Sequence, residues 1–444
     1  MSEEKFLSET KRRRLLPYPK YKYSGVKWLG KIPAHWDVTR TKEQFCIING
    51  STPSSSEPSF WDGDIVWVTP DDLGELHESR LGDSSRIITE EGYKSCGTSI
   101  VPKGSIVVST RAPIGYVAIA TANLCTNQGC KSLVPKRLLN NGFFYYQISS
   151  AKCELESRGQ GSTFNELSKD KLGRIILARP PEPEQHTIAS FLDRETAKID
   201  ALIQKKERLI ELLQEKRTAL ITQAVTKGLD PSVFMKDSGV EWIERIPGSW
   251  KVYPLFTVAR EKEKRNIGNQ VQNVLSLSYG KIINKDVDDN FGLLPESFET
   301  YQIVNEGNIM LRLTDLQNDK RSLRVGLVRN QGIITSAYIC LDFFRNIDPP
   351  YAFYLLYAYD ITKVFYSLGG GVRQTMKFED LKWLPILVPS AAQQHAIASY
   401  LDRETAKIDS LVAKIHEAID RLKEYRNTLI SAAVTGRIDV REAQ

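Results

Sequence analysis

The sequence predicts an α+β protein in which two pseudo-repeated α/β domains are separated by an antiparallel coiled coil of two long helices. Three observations predict this architecture. The twelve residues ASFLDRETAKID that begin at Ala189 recur from Ala398 as ASYLDRETAKID, with one change. The thirteen residues SGVKWLGKIPAHW that begin at Ser24 recur from Ser238 as SGVEWIERIPGSW. Between these shared blocks lie two segments that hardly resemble each other, so we expect a duplicated scaffold that carries two different domains.

The composition is that of a globular protein with more than one hydrophobic core. The chain has 444 residues, of which 41% are hydrophobic and 26% charged, and this length is typical of two or three domains. The first twenty residues carry charges where a secretory signal needs an apolar run, and no run of eighteen apolar residues occurs. We therefore expect a cytoplasmic protein. The net charge of +6 permits a polyanionic partner but does not by itself indicate one.

The cysteines give no sign of a metal site. None of the six belongs to a CxxC pair, and no histidines stand at metal-ligand intervals from them. We expect reduced thiols and no bound metal.

The repeats define the predicted domains. The helical block repeats without a gap, because one offset of 209 residues relates His186 to His395 and also Ala224 to Ala433. The boundary block, with the pattern GVxWxxxIPxxW, repeats with an offset of 214 residues, from Ser24 to Ser238. Such repetition predicts two pseudo-equivalent halves. The predicted divisions are 1–36 (tail and boundary block), 37–180 (first variable domain), 181–237 (central helical region), 238–388 (boundary block and second variable domain) and 389–444 (C-terminal helical region).

The helical blocks begin with ordinary helix-start signals. Ser390 and Gln393 form an S-x-x-Q capping box, and Pro183 lies in the first turn of the other copy. Beyond Asp200 the apolar residues fall into heptads, which predicts that the two helices pack on each other as an intramolecular antiparallel coiled coil. The alternative is two unrelated amphipathic helices, each lying on its own domain. The predicted apolar stripes are Ile199, Leu202, Leu209, Leu213 and Leu220 in the first copy and Ile408, Leu411, Ile415, Ala418, Leu422, Tyr425, Leu429 and Ala432 in the second.

The two variable segments are predicted to be mixed α/β domains. Short β-rich runs at 64–68, 105–108 and 308–311 alternate with Gly, Asn and Asp turns. Helical stretches follow near 142–156 and 350–367. Each half therefore joins a variable domain to a copy of the same helix.

The motifs together resemble those of one known family. The two boundary blocks, the two LDRETAKID phrases and the first segment's WVTPDDL, VVSTRAPIG and TNQG are similar to the specificity subunits of type I restriction-modification systems. The resemblance covers nearly the whole chain from about Tyr21. Its most specific motifs are the two that occur in duplicate, and this duplication indicates the family more strongly than any single match.

The resemblance implies a DNA-binding subunit without catalytic activity of its own. Each variable domain would be a target recognition domain that binds one half of a split sequence in the major groove of double-stranded DNA. The pair of helices would separate these domains and bind two methyltransferase subunits, with restriction subunits as further partners. S-adenosylmethionine, ATP and Mg²⁺ would be bound only by those partners, so no cofactor is expected in this chain. The second segment has LTDL at 313–316 where the first has TRAP at 110–113, which implies a different half-site.

One motif favours a different function. Residues Asp348 to Tyr351 spell DPPY, which resembles the loop that holds a flipped adenine in DNA adenine methyltransferases. A methyltransferase also needs a glycine-rich turn between a strand and a helix for its cofactor, and the glycine run 369–371 follows a predicted helix instead. We therefore expect DPPY to begin a helix, with its prolines in the first turn. A DNA adenine methyltransferase or a fused restriction enzyme is the alternative function.

Arginine and amide side chains are the candidates for DNA contact. Arg111 lies where a strand is predicted to end, and its guanidinium is able to bind guanine O6 and N7 together; a structural ion pair is the alternative. Glycine-rich loops precede the helical block in both halves, where the backbone can approach phosphate and amides can read adenine; plain turns are the alternative. The candidate residues are Arg111, Gln160, Ser162, Asn165, Arg312, Arg321, Arg373 and Gln374.

The helical blocks supply the candidates for scaffold and partner contacts. His186 and His395 occupy equivalent first turns, and we expect structural or interface roles for them because no nucleophile or carboxylate pair accompanies either. No catalytic residue is predicted. The predicted scaffold and partner-binding residues are His186, Leu192, Asp193, Arg194, Ile199, Leu202, His395, Leu401, Asp402, Arg403, Ile408 and Leu411.

Overall fold

The computed structural model describes residues 15–76, 79–111, 113–159, 166–285, 297–314, 323–368 and 375–442. The chain divides into two compact units: unit 1 comprises Met1–Lys206 with Glu417–Gln444, and unit 2 comprises Glu207–His416. Each unit therefore contains one variable segment, the first part of one long helix and the last part of the other. Among the described helices, none is both long and apolar enough to cross a membrane.

Unit 1 is a mixed α/β unit whose largest sheet has five strands. Its strands are β1 (Tyr21–Tyr23), β2 (Lys31–Pro33), β3 (Asp37–Arg40), β4 (Phe45–Asn49), β5 (Trp61–Val68), β6 (Arg80–Leu81), β7 (Ile87–Ile88), β8 (Ile106–Thr110), β9 (Ile114–Ala120), β10 (Cys125–Thr126), β11 (Cys130–Pro135) and β12 (Ile176–Arg179). Its helices are α1 (Thr41–Gln44), α2 (Pro70–Glu75), α3 (Glu90–Ser95), α4 (Asn141–Ser150), α5 (Lys152–Ser157), α6 (Lys169–Gly173) and the first part of α7 (Glu182–Lys227). The strand order is β4-β11-β8-β9-β6 in the largest sheet and β10-β5-β7 in a three-stranded sheet, and α4 and α5 pack on β9.

Unit 2 is also mixed α/β, with a largest sheet of four strands. Its strands are β13 (Met235–Asp237), β14 (Arg245–Pro247), β15 (Lys251–Pro254), β16 (Ala259–Glu261), β17 (Leu275–Ser278), β18 (Lys281–Asn284), β19 (Gln302–Val304), β20 (Ile309–Leu311), β21 (Val325–Leu327), β22 (Gly332–Ile334), β23 (Ile339–Phe343) and β24 (Pro385–Val388). Its helices are α8 (Pro349–Ile361), α9 (Val364–Leu368), α10 (Phe378–Leu381) and the first part of α11 (Ala391–Val434). The four-stranded sheet has the order β16-β23-β20-β21.

The two units pair their strands in the same way although their variable segments hardly resemble each other. The order β16-β23-β20-β21 matches β4-β11-β8-β9, and every neighbouring pair in both series is antiparallel. The hairpin β13-β14 matches β1-β2, and the pair β15-β24 matches β3-β12. The predicted strands and helices of both segments are confirmed, since β5, β8, β20, α4, α5, α8 and α9 overlap the predicted runs.

The repeated phrase of each long helix binds the variable segment of its own unit. In unit 1 the Tyr146 hydroxyl donates to the Asp193 carboxylate at 2.8 Å and lies 3.2 Å from the Thr196 hydroxyl. Burial raises the pKa of Tyr146, so this hydroxyl remains a protonated donor. The equivalent side chains of unit 2, with distances of 2.7 and 3.3 Å, are Tyr354, Asp402 and Thr405.

The boundary block packs on the end of a long helix. Trp36 and Trp250, the last residues of the two copies, are fully buried. Gly436 follows the end of α11 with φ +71°, and a Cβ added there would lie 2.2 Å from a ring carbon of Pro33 and 3.1 Å from Trp36. Gly228 follows α7 with φ +76° and has Trp250 at 3.4 Å from its Cβ position. Glycine is therefore required after α11 both by its left-handed backbone and by the boundary block against it.

The predicted apolar stripes of the long helices are buried in part: Ile199, Ile408, Ile415, Leu429 and Ala432 are buried, whereas three leucines are exposed. Leu202, Leu209 and Leu411 are 43%, 42% and 44% exposed. The isoleucines that follow Leu202 and Leu209 are buried instead, and seven residues separate Ile203 from Ile210, as in a heptad. Within residues 199–227 of α7 and 408–434 of α11, the buried isoleucines are Ile199, Ile203, Ile210 and Ile221 in α7 and Ile408, Ile415, Ile419 and Ile430 in α11.

The burial of the helix stripe makes a testable prediction about two adjacent residues. Ile210 is 8% exposed and Leu209 is 42% exposed. Ile210→Ala should lower the free energy of unfolding by about 2–4 kcal/mol because it removes buried methyl groups and leaves a cavity. Leu209→Ala, the matched control, should cost less than about 1 kcal/mol. Urea unfolding of the full chain measures both, and an equal or larger loss for Leu209→Ala would show that Leu209 belongs to the buried stripe after all.

Candidate nucleic-acid interface

Three motifs that are far apart in the first variable segment meet in one cleft of unit 1. WVTPDDL, VVSTRAPIG and TNQG each contribute to its lining, which encloses about 530 Å³. The side chains supplied from outside these motifs are those of residues 52, 85 and 86. The lining residues are Thr52, Trp67, Thr69, Pro70, Asp71, Ser85, Arg86, Arg111, Asn127, Gln128 and Gly129.

The cleft forms where strands end. β5 and β10 are parallel neighbours, so their carboxyl ends lie at the same edge. The Asn127 N–H donates to the Val68 carbonyl at 2.9 Å, and the Thr110 N–H donates to the Gly129 carbonyl at 2.7 Å. A Cβ at Gly50 would lie 1.9 Å from the Asn127 carbonyl oxygen, so only glycine allows these loops to approach so closely. The loops after β5, β8 and β10 are thus tied together by their backbones.

The start of α2 fixes one side of the cleft. Thr69 caps this helix, and its N–H and hydroxyl both donate to the Asp72 carboxylate at 2.7 Å. The Ser85 N–H donates to the other oxygen of Asp72 at 2.8 Å. Burial alone would raise the pKa of Asp72, but these hydrogen bonds outweigh it and hold the pKa below the usual value. Asp72 therefore accepts hydrogen bonds that hold Thr69 and Ser85, two residues of the cleft lining, in place.

Arg111 lies at the cleft and takes part in an ion pair. Its guanidinium donates to Glu166 at 2.6 Å, and the Lys131 ammonium lies 3.6 Å from the same carboxylate. Lys131 is buried and also donates to the Thr110 hydroxyl at 3.0 Å. Burial lowers the pKa of Lys131, and Glu166 opposes this shift. The structural ion pair foreseen as the alternative for Arg111 is present, while its contact with a base stays a prediction.

Arg86 and Thr52 were not identified from the sequence. The Arg86 guanidinium stacks on the Trp61 ring, with its central carbon 3.6 Å from the ring centroid. The Thr52 hydroxyl donates to the side-chain oxygen of Gln128. The sequence around Arg86 has no motif, and its stacking partner stands twenty-five residues earlier, so only the folded chain reveals the pair.

Arg312, the other predicted DNA contact that the structure describes, does not line this cleft. Arg312 follows β20 in unit 2, where its carbonyl accepts a hydrogen bond from the side chain of Arg324 at 3.0 Å. Arg324 is fully buried and also donates to the Thr314 carbonyl at 2.8 Å. Six predicted residues fall outside the described part of the chain: Gln160, Ser162, Asn165, Arg321, Arg373 and Gln374.

The scaffold candidates divide into buried residues and residues on the helix surface. Leu192 and Leu401 are fully buried, and Ile199 and Ile408 are 8% exposed. Asp193 and Asp402 bind the tyrosines described above, and Arg194 and Arg403 pair with the glutamates that follow them. His186 and His395 are exposed, and the His186 ring accepts from the Asn140 side chain at 2.8 Å. Leu202 and Leu411 are exposed at equivalent positions.

DPPY begins α8, as predicted. Asp348 is the residue before the helix, and the two prolines occupy its first turn. Tyr351 is fully buried, and its hydroxyl donates to the Leu387 carbonyl at 3.1 Å, so its ring has no free face for a base. Asn140 holds the corresponding place before α4 in unit 1 and caps it by accepting from the Phe143 N–H. Burial raises the pKa of Asp348, although the charge of His395 opposes the shift.

In the described part of the chain, no group of three or more His, Cys, Asp and Glu side chains is arranged to hold a metal ion.

Comparisons with known proteins agree on one family. Residues 33–212 match a family model described as the type I restriction modification DNA specificity domain. The MjaIX type I restriction enzyme specificity subunit of Methanocaldococcus jannaschii is 28% identical over 433 residues, which cover 93% of this chain and 96% of that relative. The EcoBI specificity subunit of Escherichia coli is 23% identical over 342 residues, which cover 71% of this chain and 69% of that relative. A chain from a solved structure of a type I R-M system has a similar fold, with a TM-score of 0.62 and 15% identity over 91% of this chain and 98% of that one.

The matched domain includes the cleft and the first copy of the repeated phrase, and the MjaIX relative aligns with both halves of the chain. Over nearly its whole length, this chain is therefore similar to type I restriction-modification specificity subunits.

Proposed function

We propose that the chain reads a split DNA sequence, with unit 1 binding one half-site and unit 2 the other. The observation that carries this proposal is that two segments of different sequence have the same strand order and the same attachment to a long helix. One fold with two different sets of loops suits two different targets.

The loops at the strand ends differ in the two units. In unit 1 the buried cation beside the loop after β8 is Lys131, which binds Thr110 and lies near Glu166. In unit 2 the buried Arg324 binds the backbone carbonyls of Arg312 and Thr314 after β20. In each unit a buried cation thus donates hydrogen bonds to the loop that follows the strand. The side chains of these two loops differ. This difference supports two unlike half-sites.

We propose in addition that the two long helices form an antiparallel coiled coil that sets the distance between the half-sites. Two ion pairs support this. In unit 1 Arg426 contacts Asp200 at 2.9 Å, and in unit 2 Arg217 contacts Asp409 at 3.5 Å. With the repeat offset of 209 residues, Asp200 corresponds to Asp409 and Arg217 corresponds to Arg426. The two ion pairs are therefore equivalent, but the aspartate comes from α7 in one pair and from α11 in the other. A two-fold relation between antiparallel helices produces such an exchange.

The same helices are proposed to bind two methyltransferase subunits. Packing explains why the buried residues of the phrase are repeated, but it does not require identical residues on the surface. Exposed side chains are nevertheless the same at equivalent places in both copies. Two copies of one partner would meet the same groups at each site. The repeated exposed residues are Arg194 and Arg403, Lys198 and Lys407, and Leu202 and Leu411.

The chain is proposed to have no catalytic residues of its own. The buried ring of Tyr351 and the helix-start position of Asp348 support a structural role for DPPY. S-adenosylmethionine, ATP and Mg²⁺ would then be bound by the methyltransferase subunits and by restriction subunits, the further partners proposed here.

A substitution at DPPY tests the non-catalytic role. Asp348→Ala should leave adenine methylation by the complex with its methyltransferase subunits within a few-fold of wild type, because Asp348 makes no side-chain cap bond to α8. Asn140→Ala is the matched control at the equivalent position, and it should cost about 1 kcal/mol of stability because it removes a side-chain cap. Methyl transfer to a cognate duplex and thermal unfolding measure the two effects. Complete loss of transfer by Asp348→Ala, with assembly and DNA binding intact, would make DPPY catalytic.

A segment exchange tests the division of the target. Replacing residues 37–180 by the same segment of a relative with another specificity should change one half of the methylated sequence and leave the other half and the spacer as they are, because each unit is proposed to read its own half-site. Genome-wide mapping of methylated adenines measures this. The corresponding exchange of residues 251–388 should change the other half. A change in both halves after a single exchange would contradict independent reading.

A further inference from the structure

Two arginines line the cleft of unit 1, and they differ in whether their guanidinium groups are bound to other residues of the protein. The Arg111 guanidinium is bound to Glu166 at 2.6 Å, so part of its hydrogen-bonding capacity is used within the protein. The Arg86 side chain is exposed and forms no hydrogen bond or ion pair with any residue that the structure describes. All five N–H donors of Arg86 are therefore available to a ligand.

Arg86 is nevertheless held in a defined position. Its guanidinium carbon lies 3.6 Å from the centroid of the Trp61 ring and 5.7 Å from that of Trp67. Both indoles are fixed, because Trp61 donates to the Ser54 carbonyl at 3.1 Å and Trp67 donates to the Ser51 carbonyl at 2.9 Å. A guanidinium that stacks by its face keeps the N–H groups of its edge free. Binding through this edge costs little ordering of the side chain.

Asp71 indicates which part of the DNA suits the cleft. Its carboxylate lines the same cleft, is exposed, and has no hydrogen-bond or ion-pair partner in the described chain. An unneutralised carboxylate repels phosphate but accepts hydrogen bonds from amino groups of bases, such as N4 of cytosine. Asn127 and Gln128 add amide groups to the lining. This mixture of donors and acceptors matches base edges better than the phosphate backbone.

We infer that Arg86, rather than Arg111, donates to O6 and N7 of a guanine in the half-site that unit 1 binds. Paired hydrogen bonds from arginine to these two atoms are the commonest specific contact in the major groove. The inference rests on the proposed function, because it assigns a base to a domain that is proposed to read DNA.

The test is Arg86→Ala in the full chain, assembled with its methyltransferase subunits. Mapping of methylated adenines should show that one G·C position of the first half-site becomes degenerate and that the second half-site is unchanged. Affinity for the cognate duplex should fall about 5- to 150-fold. Affinity for unrelated DNA and its salt dependence should stay close to wild type, since no phosphate contact is removed. Arg86→Lys should relax the same position, because an ammonium lacks the two-pronged geometry of guanidinium.

Arg174→Ala is the matched control. Arg174 is also an arginine of unit 1, with its side chain 64% exposed, but it does not line the cleft. Its removal should change neither specificity nor cognate affinity, and the thermal unfolding midpoints of both alanine variants should equal that of wild type. An equal loss for Arg86→Ala on every sequence, with a shallower salt dependence, would show a phosphate contact and overturn the inference. Unaltered specificity, or relaxation at an A·T position, would overturn it as well.

The exchange of residues 37–180 separates failure of this inference from failure of the proposed function. If the exchange replaces one half-site while Arg86→Ala leaves that half-site intact, only the assignment of Arg86 is wrong. If the exchange leaves both half-sites unchanged, unit 1 does not read the DNA and the proposed function is wrong.

Discussion

The rest of the structure depends on the hydrogen bonds of a buried tyrosine hydroxyl with an aspartate and a threonine of a long helix. Asp193 and Thr196 are three residues apart, so their side chains share one face of α7, and Tyr146 contacts both. A buried hydroxyl without a partner costs about 1–3 kcal/mol, so the helix must supply one wherever this tyrosine packs. The repeated phrase supplies it in both units. The attachment of each α/β segment is therefore constant, and the loops far from it are free to diverge.

Divergence is visible in how each unit supports the loop beside its central strands. Unit 1 uses the Lys131 ammonium, whose charge is balanced by Glu166. Unit 2 uses the guanidinium of Arg324, which donates to backbone carbonyls. A buried cation is costly unless it is paired or hydrogen-bonded, and each unit meets this requirement with different groups. The sheet order survives the change because it is set by backbone pairing and buried apolar faces, and neither depends on these cations.

The long helices, the main strands and the helix start at DPPY were predictable because each follows from a local pattern of caps, prolines and apolar runs. The buried stripe was predictable only in part, because Leu209 and Ile210 are adjacent and both apolar, and only packing of the folded chain decides which of them is buried. The cleft was predictable only in part. Its three motifs were recognised separately, but their convergence depends on the parallel pairing of β5 with β10. Arg86 was missed because its environment is created by Trp61, far from it in sequence.

Because one chain combines repeated helices with unlike α/β segments, its target sequence need not be symmetric. A symmetric dimer of identical reading units imposes a palindromic site, because half-site symmetry mirrors protein symmetry. In this chain the surface groups of the repeated helical phrase recur, whereas the loops of the two α/β segments do not. Under the proposed function, the repeated surfaces bind two identical methyltransferase subunits, and the unlike clefts read two unlike half-sites. Covalent linkage keeps one unit of each kind in every complex. An asymmetric sequence can then be read by an assembly whose catalytic partners remain symmetric.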